Sequence, residues 1–399
     1  MASNPPQQPP APSEPTLHPK ALPTATHEVI VVLETIHVPW DPAHFPDDNS
    51  LLSDSGKTHE ALVYRNTRAG VDDVAARIRE ASVVVGTVCP LTAEILKGAT
   101  YLNCIITHAV GTDHIDLEYC RKHNIQVMHT KNCNTETVAE HALALYFATR
   151  RSIIKLHTSL TVPSPSFSSS TSNTTHTTAP PPNEWKIKGS LGAHMRDATN
   201  APPRTCAQEV AGIIGYGAVG KEIHRLCAAL GMKVLVSERP SRANATAQPA
   251  RVPFLTLLQQ STILFLALPR TPSTTNLLSH AQLSSLVSPQ TILINVSRGG
   301  IVDEPAVLDA LVHRRLFGYA TDVFAVEPAG GVGESCLLGE HYYDDEHSKD
   351  RINLVLTPHV AWFSQTTIEN SVRMLGENLR AYARGDEEWD NVVVPRTQS

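Results

Sequence analysis

The chain has 399 residues, room for two or three ordinary domains with buried cores, which excludes a minimal scaffold held by staples. Its 41 % apolar and 18 % charged residues are a globular balance, and exclude a wholly disordered, collagenous or coiled-coil chain. Against 39 Asp and Glu stand 33 Lys and Arg, a net charge of -6 without a long like-charged block, so a small molecule rather than nucleic acid is the expected partner. No apolar run approaches the roughly 18 residues that span a bilayer, and the opening MASNPPQQPP is polar, so no membrane association and a cytoplasmic place are expected. Seven scattered cysteines without a Cys-x-x-Cys pair predict free thiols, and no metal-ligand spacing is found among the histidines.

Residues 1–23 hold eight prolines, and a disordered tail is predicted over 1–26. The run HEVIVVLET from His27 to Thr35 is apolar on consecutive positions, as in a strand buried on both faces of a parallel sheet. Strand-like runs follow at Ala61 to Tyr64, Ser82 to Val85, Asn103 to Thr107 and Ile125 to Met128, with a helical stretch at Val71 to Glu80. This alternation reads as βα units. One long helix is predicted from Glu136 to Leu156 on the apolar face of Val138, Ala142, Leu143, Leu145, Tyr146, Ile153 and Ile154. Residues 161–183 contain six Ser, six Thr and five Pro and no charged side chain, and read as a surface insertion.

A second alternating block starts at Glu209 with the runs AGIIG, KVLV, ILFLAL, TILINV and INLVL, predicting a second, doubly wound parallel sheet. Within it Gly215-Tyr216-Gly217-Ala218-Val219-Gly220 lies between a strand and an amphipathic stretch, the order a dinucleotide-binding turn needs. The first glycine permits the turn, the second lets backbone approach a pyrophosphate and the third lets helix pack on strand, while Ala218 and Val219 open the helix whose N–H groups face the anion. Glu238, 18 residues beyond Gly220, is placed to accept the ribose hydroxyls and favours NAD. Arg239 and Arg242 directly behind it keep NADP open.

Arg298 in NVSRGGIVD, Asp322 and Glu327 in TDVFAVEP, and His359 in LTPHVAW each follow a strand-like run, where open α/β sheets place ligands. Singly they read as a surface ion pair, a loop acid or a capping imidazole. Together with HAVGTDHID at 108–116, VAEHALAL at 138–145, GYGAVG at 215–220 and LPRTPSTTNLL at 268–278, their order and spacing resemble the D-isomer-specific 2-hydroxyacid dehydrogenases, over about Val29 to Val394. The resemblance implies an α/β protein of two Rossmann-like, doubly wound parallel-sheet domains with a cleft between them. It implies a flavodoxin-like substrate domain over 27–150 plus 358–395, an NAD-binding domain over 205–357, and a homodimer. It further implies His359 as general acid and base, Glu327 as the carboxylate that orients it, and Arg298 as the grip on the substrate carboxylate and keto oxygen. The amides of Val110 and Gly111 would take the other end of that carboxylate. Pro269, Thr274, Val296 and Asp322 would line the cofactor, Asp322 through the nicotinamide amide.

Two stretches depart from the family pattern: the 161–183 insertion, and Ala329 to Arg351, acidic at Asp344, Asp345 and Glu346 and expected at the cleft edge. Trp362 stands where many members carry a small residue, and would reshape the substrate pocket. That indole also resembles the branch containing the C-terminal-binding-protein corepressors, which leaves a second reading: a dinucleotide-sensing scaffold with little turnover. The reading favoured is a reductase of a 2-keto acid, glyoxylate or hydroxypyruvate or larger, to a D-2-hydroxy acid.

Overall fold

The structure, a computed structural model, describes residues 14–40, 52, 55–68, 70, 72–161, 182–238, 251–284, 288–339 and 352–396. The chain divides into two compact units, Met1–Asn134 with Phe363–Ser399, and Thr135–Trp362.

The first unit begins with β1 (His27–Val32) and β2 (Thr58–Val63), then α1 (Val74–Ile78), β3 (Val83–Gly86), α2 (Ala93–Leu96), β4 (Cys104–Thr107), α3 (Leu117–Lys122) and β5 (Gln126–His129). The short helices start where Asp73, Thr92 and Asp116 accept a hydrogen bond from an amide of the first turn. The second unit adds α4 (Thr135–Arg150), α5 (Ile153–Thr161), α6 (Glu184–Lys188), β6 (Val210–Ile214), α7 (Ala218–Ala229), β7 (Lys233–Ser237), β8 (Arg251–Val252), α8 (Phe254–Gln260), β9 (Ile263–Leu266), α9 (His280–Leu283), β10 (Ile292–Asn295), α10 (Glu304–Val312), β11 (Gly318–Thr321) and β12 (Leu354–Leu356). The chain then returns to the first unit with α11 (Gln365–Arg384) and β13 (Val392–Val394).

The first sheet has the order β13-β5-β4-β3-β1-β2, parallel except that β13 runs antiparallel to β5. Alternate residues of its strands feed two cores: Val29, Val31, Val84 and Ile105 on one face, Ile30, Val32, Val83 and Ile106 with Leu375 and Leu379 of α11 on the other. The second sheet, β12-β11-β10-β9-β6-β7-β8, is parallel throughout. Ile213, Phe265 and Ile294 pack with Val138, Ala142 and Leu145 of α4 and Ile223 of α7, while Leu264, Leu266 and Leu293 pack with Val307 and Leu311 of α10. Burial of every residue in β9, β10 and β11 is what helices on both faces of a parallel sheet produce. All seven cysteines are free thiols, and among the described residues no helix is long and apolar enough to cross a membrane.

The structure corrects several expectations. The units divide at Asn134, not near Arg150, because the apolar face of α4 is built into the core around β6, β9 and β10. The predicted helix of 136–156 breaks in two at Ser152, a buried residue in the left-handed region (φ 48) whose amide bonds Thr149. The disordered tail does not extend to residue 26: the Leu17 amide donates to the Tyr64 hydroxyl at 2.7 Å, the Glu14 carbonyl accepts from Arg77 at 3.1 Å, and the Lys20 amide donates to Glu60 at 2.8 Å. Residues 1–13 of that tail, 162–181 of the insertion, and 340–351 with their acidic run lie outside the described residues. The described start of the second departure, 329–339, sends Leu337 into the core beside α10.

Candidate active site

The glycine turn sits at the C-terminal end of β6, whose sheet neighbours β9 and β7 lead away in opposite directions, the switch point where such sheets bind ligands. Gly215 has φ +97, and a Cβ on it would lie 2.2 Å from the Ala267 carbonyl oxygen. A Cβ on Gly220 would lie 2.1 Å from the Gly215 carbonyl oxygen, so α7 can approach the turn only without one. Around Gly217 nothing lies within 4 Å of such an atom. It is the N-cap of α7 and brings no side chain to cap the first-turn amides, Ala218 and Val219 included. An open cradle in front of a helix N-terminus without a side-chain cap is the fit a pyrophosphate requires. Glu238 follows β7 directly and is exposed, its amide bonded to Val252. Arg239 and Arg242 lie outside the described residues.

Further along the sheet, Thr274 closes a turn by donating to the Pro269 carbonyl at 2.8 Å and accepting from the Thr271 amide at 2.7 Å. Val296, just past β10, faces the core.

The C-terminal ends of β11 and β12 carry the titratable group of the site. His359 Nδ1 lies 2.6 Å from Glu327 Oε2, and Glu327 Oε1 accepts from the Phe324 amide at 2.7 Å. With Nδ1 engaged, Nε2 is the ring nitrogen left to act on a substrate. His359 itself is in the left-handed region (φ 53), rare for a side-chain-bearing residue, and its amide donates to the Asp322 carbonyl at 2.7 Å. The buried Asp322 carboxylate holds the same turn: Oδ1 accepts from Thr357 Oγ1 at 2.6 Å and the Val360 amide at 2.9 Å, Oδ2 from the Ala361 amide at 2.8 Å. His141 of α4 joins this group, its Nε2 3.0 Å from Thr357 Oγ1 and 3.7 Å from Asp322 Oδ1.

The hydrogen bond to Glu327 raises the His359 pKa above its ordinary value, against partial burial and the Arg298 charge, which work the other way. Burial pushes the Glu327 carboxyl up, but the hydrogen bond and charge of His359, the Phe324 amide and the Arg298 charge together hold it below its ordinary range. The two shifts both favour the charged forms of the pair, and Arg298 is close enough to act on both. Arg298 follows β10; its Nη1 donates to the Ser297 carbonyl at 2.8 Å, and its own carbonyl accepts from Asn295 at 3.1 Å. Trp362 donates from Nε1 to the His359 carbonyl at 3.0 Å and packs against the core, a brace of the His359 turn as well as a neighbour of it. Val110 and Gly111 belong to the first unit, half-buried beyond β4, where His129 Nδ1 lies 2.8 Å from the Val110 carbonyl.

Residues 185–361 match the model of the D-isomer specific 2-hydroxyacid dehydrogenase NAD-binding domain. Over 335 residues, 84 % of this chain and 92 % of the relative, the sequence is 31 % identical to a glycerate dehydrogenase of Methylorubrum extorquens. The chain belongs to the D-isomer specific 2-hydroxyacid dehydrogenase family. A second member, a glyoxylate reductase of Thermococcus litoralis, is 30 % identical over 83 % of this chain and 89 % of its own. Among solved structures the TT0316 protein of Thermus thermophilus superposes with a TM-score of 0.66 at 26 % identity, covering 92 % of this chain and all of the other. This dehydrogenase is accordingly an NAD(P)-dependent oxidoreductase of 2-hydroxy acids. The relatives named here are enzymes, and nothing in them favours the corepressor-like scaffold.

Two contributors to the site escaped sequence reading. His141 lies in the VAEHALAL run, where a helical position says nothing of its contact with Thr357. Glu304, at the end of INVSRGGIVDE, accepts from the Ala325 amide at 2.9 Å and from Ser335 Oγ at 2.7 Å, anchoring the loop that carries Glu327.

Proposed function

We propose that this dehydrogenase reduces a small 2-keto acid of the glyoxylate or hydroxypyruvate kind to the D-2-hydroxy acid with NADH, with Arg298, Glu327 and His359 as its catalytic residues. The observation that carries the reading is the 2.6 Å contact between Glu327 and a His359 held on a turn fixed by Asp322. Reduction adds a hydride to the C2 carbon and a proton to its oxygen, and the bound dinucleotide supplies the hydride. His359 Nε2 supplies the proton, Glu327 favours the charged ring beforehand, and in the reverse direction the neutral ring takes the hydroxyl proton. Arg298 offers a planar guanidinium to the carboxylate and draws negative charge to the carbonyl oxygen. Asp322 Oδ2, with a single donor, keeps acceptor capacity for the nicotinamide amide.

The exposed carboxylate of Glu238 supports NADH over NADPH, since a 2′-phosphate there meets like charge. The glycerate dehydrogenase and glyoxylate reductase relatives support the small substrates. A homodimer is supported by the exposed Ile153, Ile154, Leu160, Trp185 and Ile187 on α5 and α6.

The test follows NADH, and separately NADPH, by absorbance against glyoxylate, hydroxypyruvate, pyruvate, phenylpyruvate and 2-ketoisocaproate. Turnover fastest with NADH and the two small acids is expected. Tight NADH binding without turnover on any of the five would overturn the reading.

A further inference from the structure

The second unit holds a cavity of about 340 Å³ at the ends of β11 and β12 opposite His359. Its volume is within the range of small-molecule sites. Phe317 and Asn353, the residues that lead into those two strands, form its base, and Leu191 and Leu316 add apolar surface. Lys155 of α5, Lys188 of α6, His194, Arg196 and Arg314 line the rest, and Asp197 is the one acid among the described lining residues.

The balance of charge inside it is uneven. Asp197 is buried and its Oδ1 is taken up by the Thr199 and Ala201 amides and the Thr199 hydroxyl, all within 2.9 Å. Glu184, outside the lining, answers Lys188 and His194 at 2.5 and 2.9 Å. Arg196 and Arg314 donate instead to backbone carbonyls, of Asn200 at 2.6 Å and of Asp197 at 2.9 Å. A carbonyl satisfies a donor without neutralising the guanidinium, so two permanent charges converge on one hollow, and among the described residues neither forms an ion pair with a carboxylate, Asp197 included.

We propose that this cavity binds a compact phosphate-bearing anion, at a site separate from that of the dinucleotide. Forked guanidiniums match phosphate oxygens geometrically, and the ammonium of Lys155 adds a point charge. The glycine turn and His359 sit at the C-terminal ends of the strands and the cavity at their N-terminal ends, roughly 13 Å away along a four-residue strand. Occupancy of the two sites is therefore not exclusive.

The probe is inorganic pyrophosphate, titrated calorimetrically into the full chain saturated with NADH, so that the glycine turn is already filled. One pyrophosphate per chain is expected, weakening as salt is raised. Arg196→Glu with Arg314→Glu should lower the affinity by about tenfold or more, the worth of losing charge-assisted hydrogen bonds, while NADH affinity stays within about twofold. Lys155→Gln, a milder change on an exposed helix, should weaken pyrophosphate several-fold and serves if the double variant does not fold. No binding in the presence of NADH, or equal affinity in the parent and the Lys155 variant, would overturn the proposal.

Discussion

His359 occupies a strained backbone position, and the surrounding hydrogen bonds hold it there. A left-handed residue persists only where its neighbours over-determine it, and here the Asp322 carbonyl, the Asp322 carboxylate and the Trp362 indole all fasten the turn. The imidazole is thereby aimed with little freedom. Replacing His359 with Ala should lower turnover about 10²–10⁴-fold while NADH affinity barely changes, because a proton donor is lost and no cofactor contact with it; single-turnover kinetics beside a fluorescence titration measure both. Glu327→Gln makes a sharper demand. If His359 is the proton donor as proposed, its raised pKa should let reduction hold its rate until pH climbs past that pKa. Removing the carboxylate removes the cause of the rise, so the alkaline fall in kcat/KM should move to lower pH, and the oxidation reaction should gain its base at lower pH too. An unmoved limb would mean that another group titrates. That Glu327 and His359 meet was legible in the sequence because motif spacing records them; the hold of Asp322 on the His359 turn and the presence of His141 were not, since they depend on where backbone amides point in a turn.

The glycine turn separates a structural need from a functional one within six residues. Gly220→Ala would drive a methyl to 2.1 Å from the Gly215 carbonyl, so α7 must shift, at a cost of about 1–3 kcal/mol in stability as well as affinity. Gly217→Ala meets nothing within 4 Å, so the fold should hold while the methyl fills the cradle and NADH binding weakens severalfold or more. Thermal unfolding and NADH titration of the two variants tell these cases apart, and equal stability losses in both would contradict the distinction. Most strands were visible as apolar runs because both faces of a parallel sheet are covered. Gly318–Thr321 was not: Gly-Tyr-Ala-Thr lacks the β-branched apolar signature, yet all four residues of β11 are buried. Arg251–Val252 and Val392–Val394 are too short to register, and the antiparallel pairing of the latter with β5 is set by the return of α11 rather than by its own residues. The break at Ser152 was hidden because an apolar periodicity continues across it; only a dihedral angle marks the end of α4.

Assigning α4 to the cofactor-binding unit rests on a buried charge as much as on apolar packing. Arg150, 1 % exposed, closes the helix by placing Nε 2.6 Å from Glu209 Oε1, an ion pair off the line of the N–H, and Nη1 donates to the Gln290 carbonyl at 2.9 Å. Glu209 is also held by Thr262 Oγ1 and by Tyr146 at 3.4 Å. A sequence boundary drawn at Arg150 could not see this, because the partners lie 59 and 140 residues away. Breaking one side of such a pair strands the other charge in a low dielectric, and costs about 3–5 kcal/mol. Arg150→Met should therefore destabilise residues 135–362 by that order, and adding Glu209→Gln should recover part of the loss because no buried charge then remains. Calorimetry can attribute the loss. If NADH binds at the glycine turn as proposed, then at a hundred times its Kd it should raise the unfolding free energy of the unit containing α7 by about 2.7 kcal/mol. If α4 belongs to that unit, Arg150→Met lowers the same transition that NADH raises. A variant that instead lowers only the transition insensitive to NADH would return the helix to the first unit, and with it the domain boundary to the neighbourhood of Arg150.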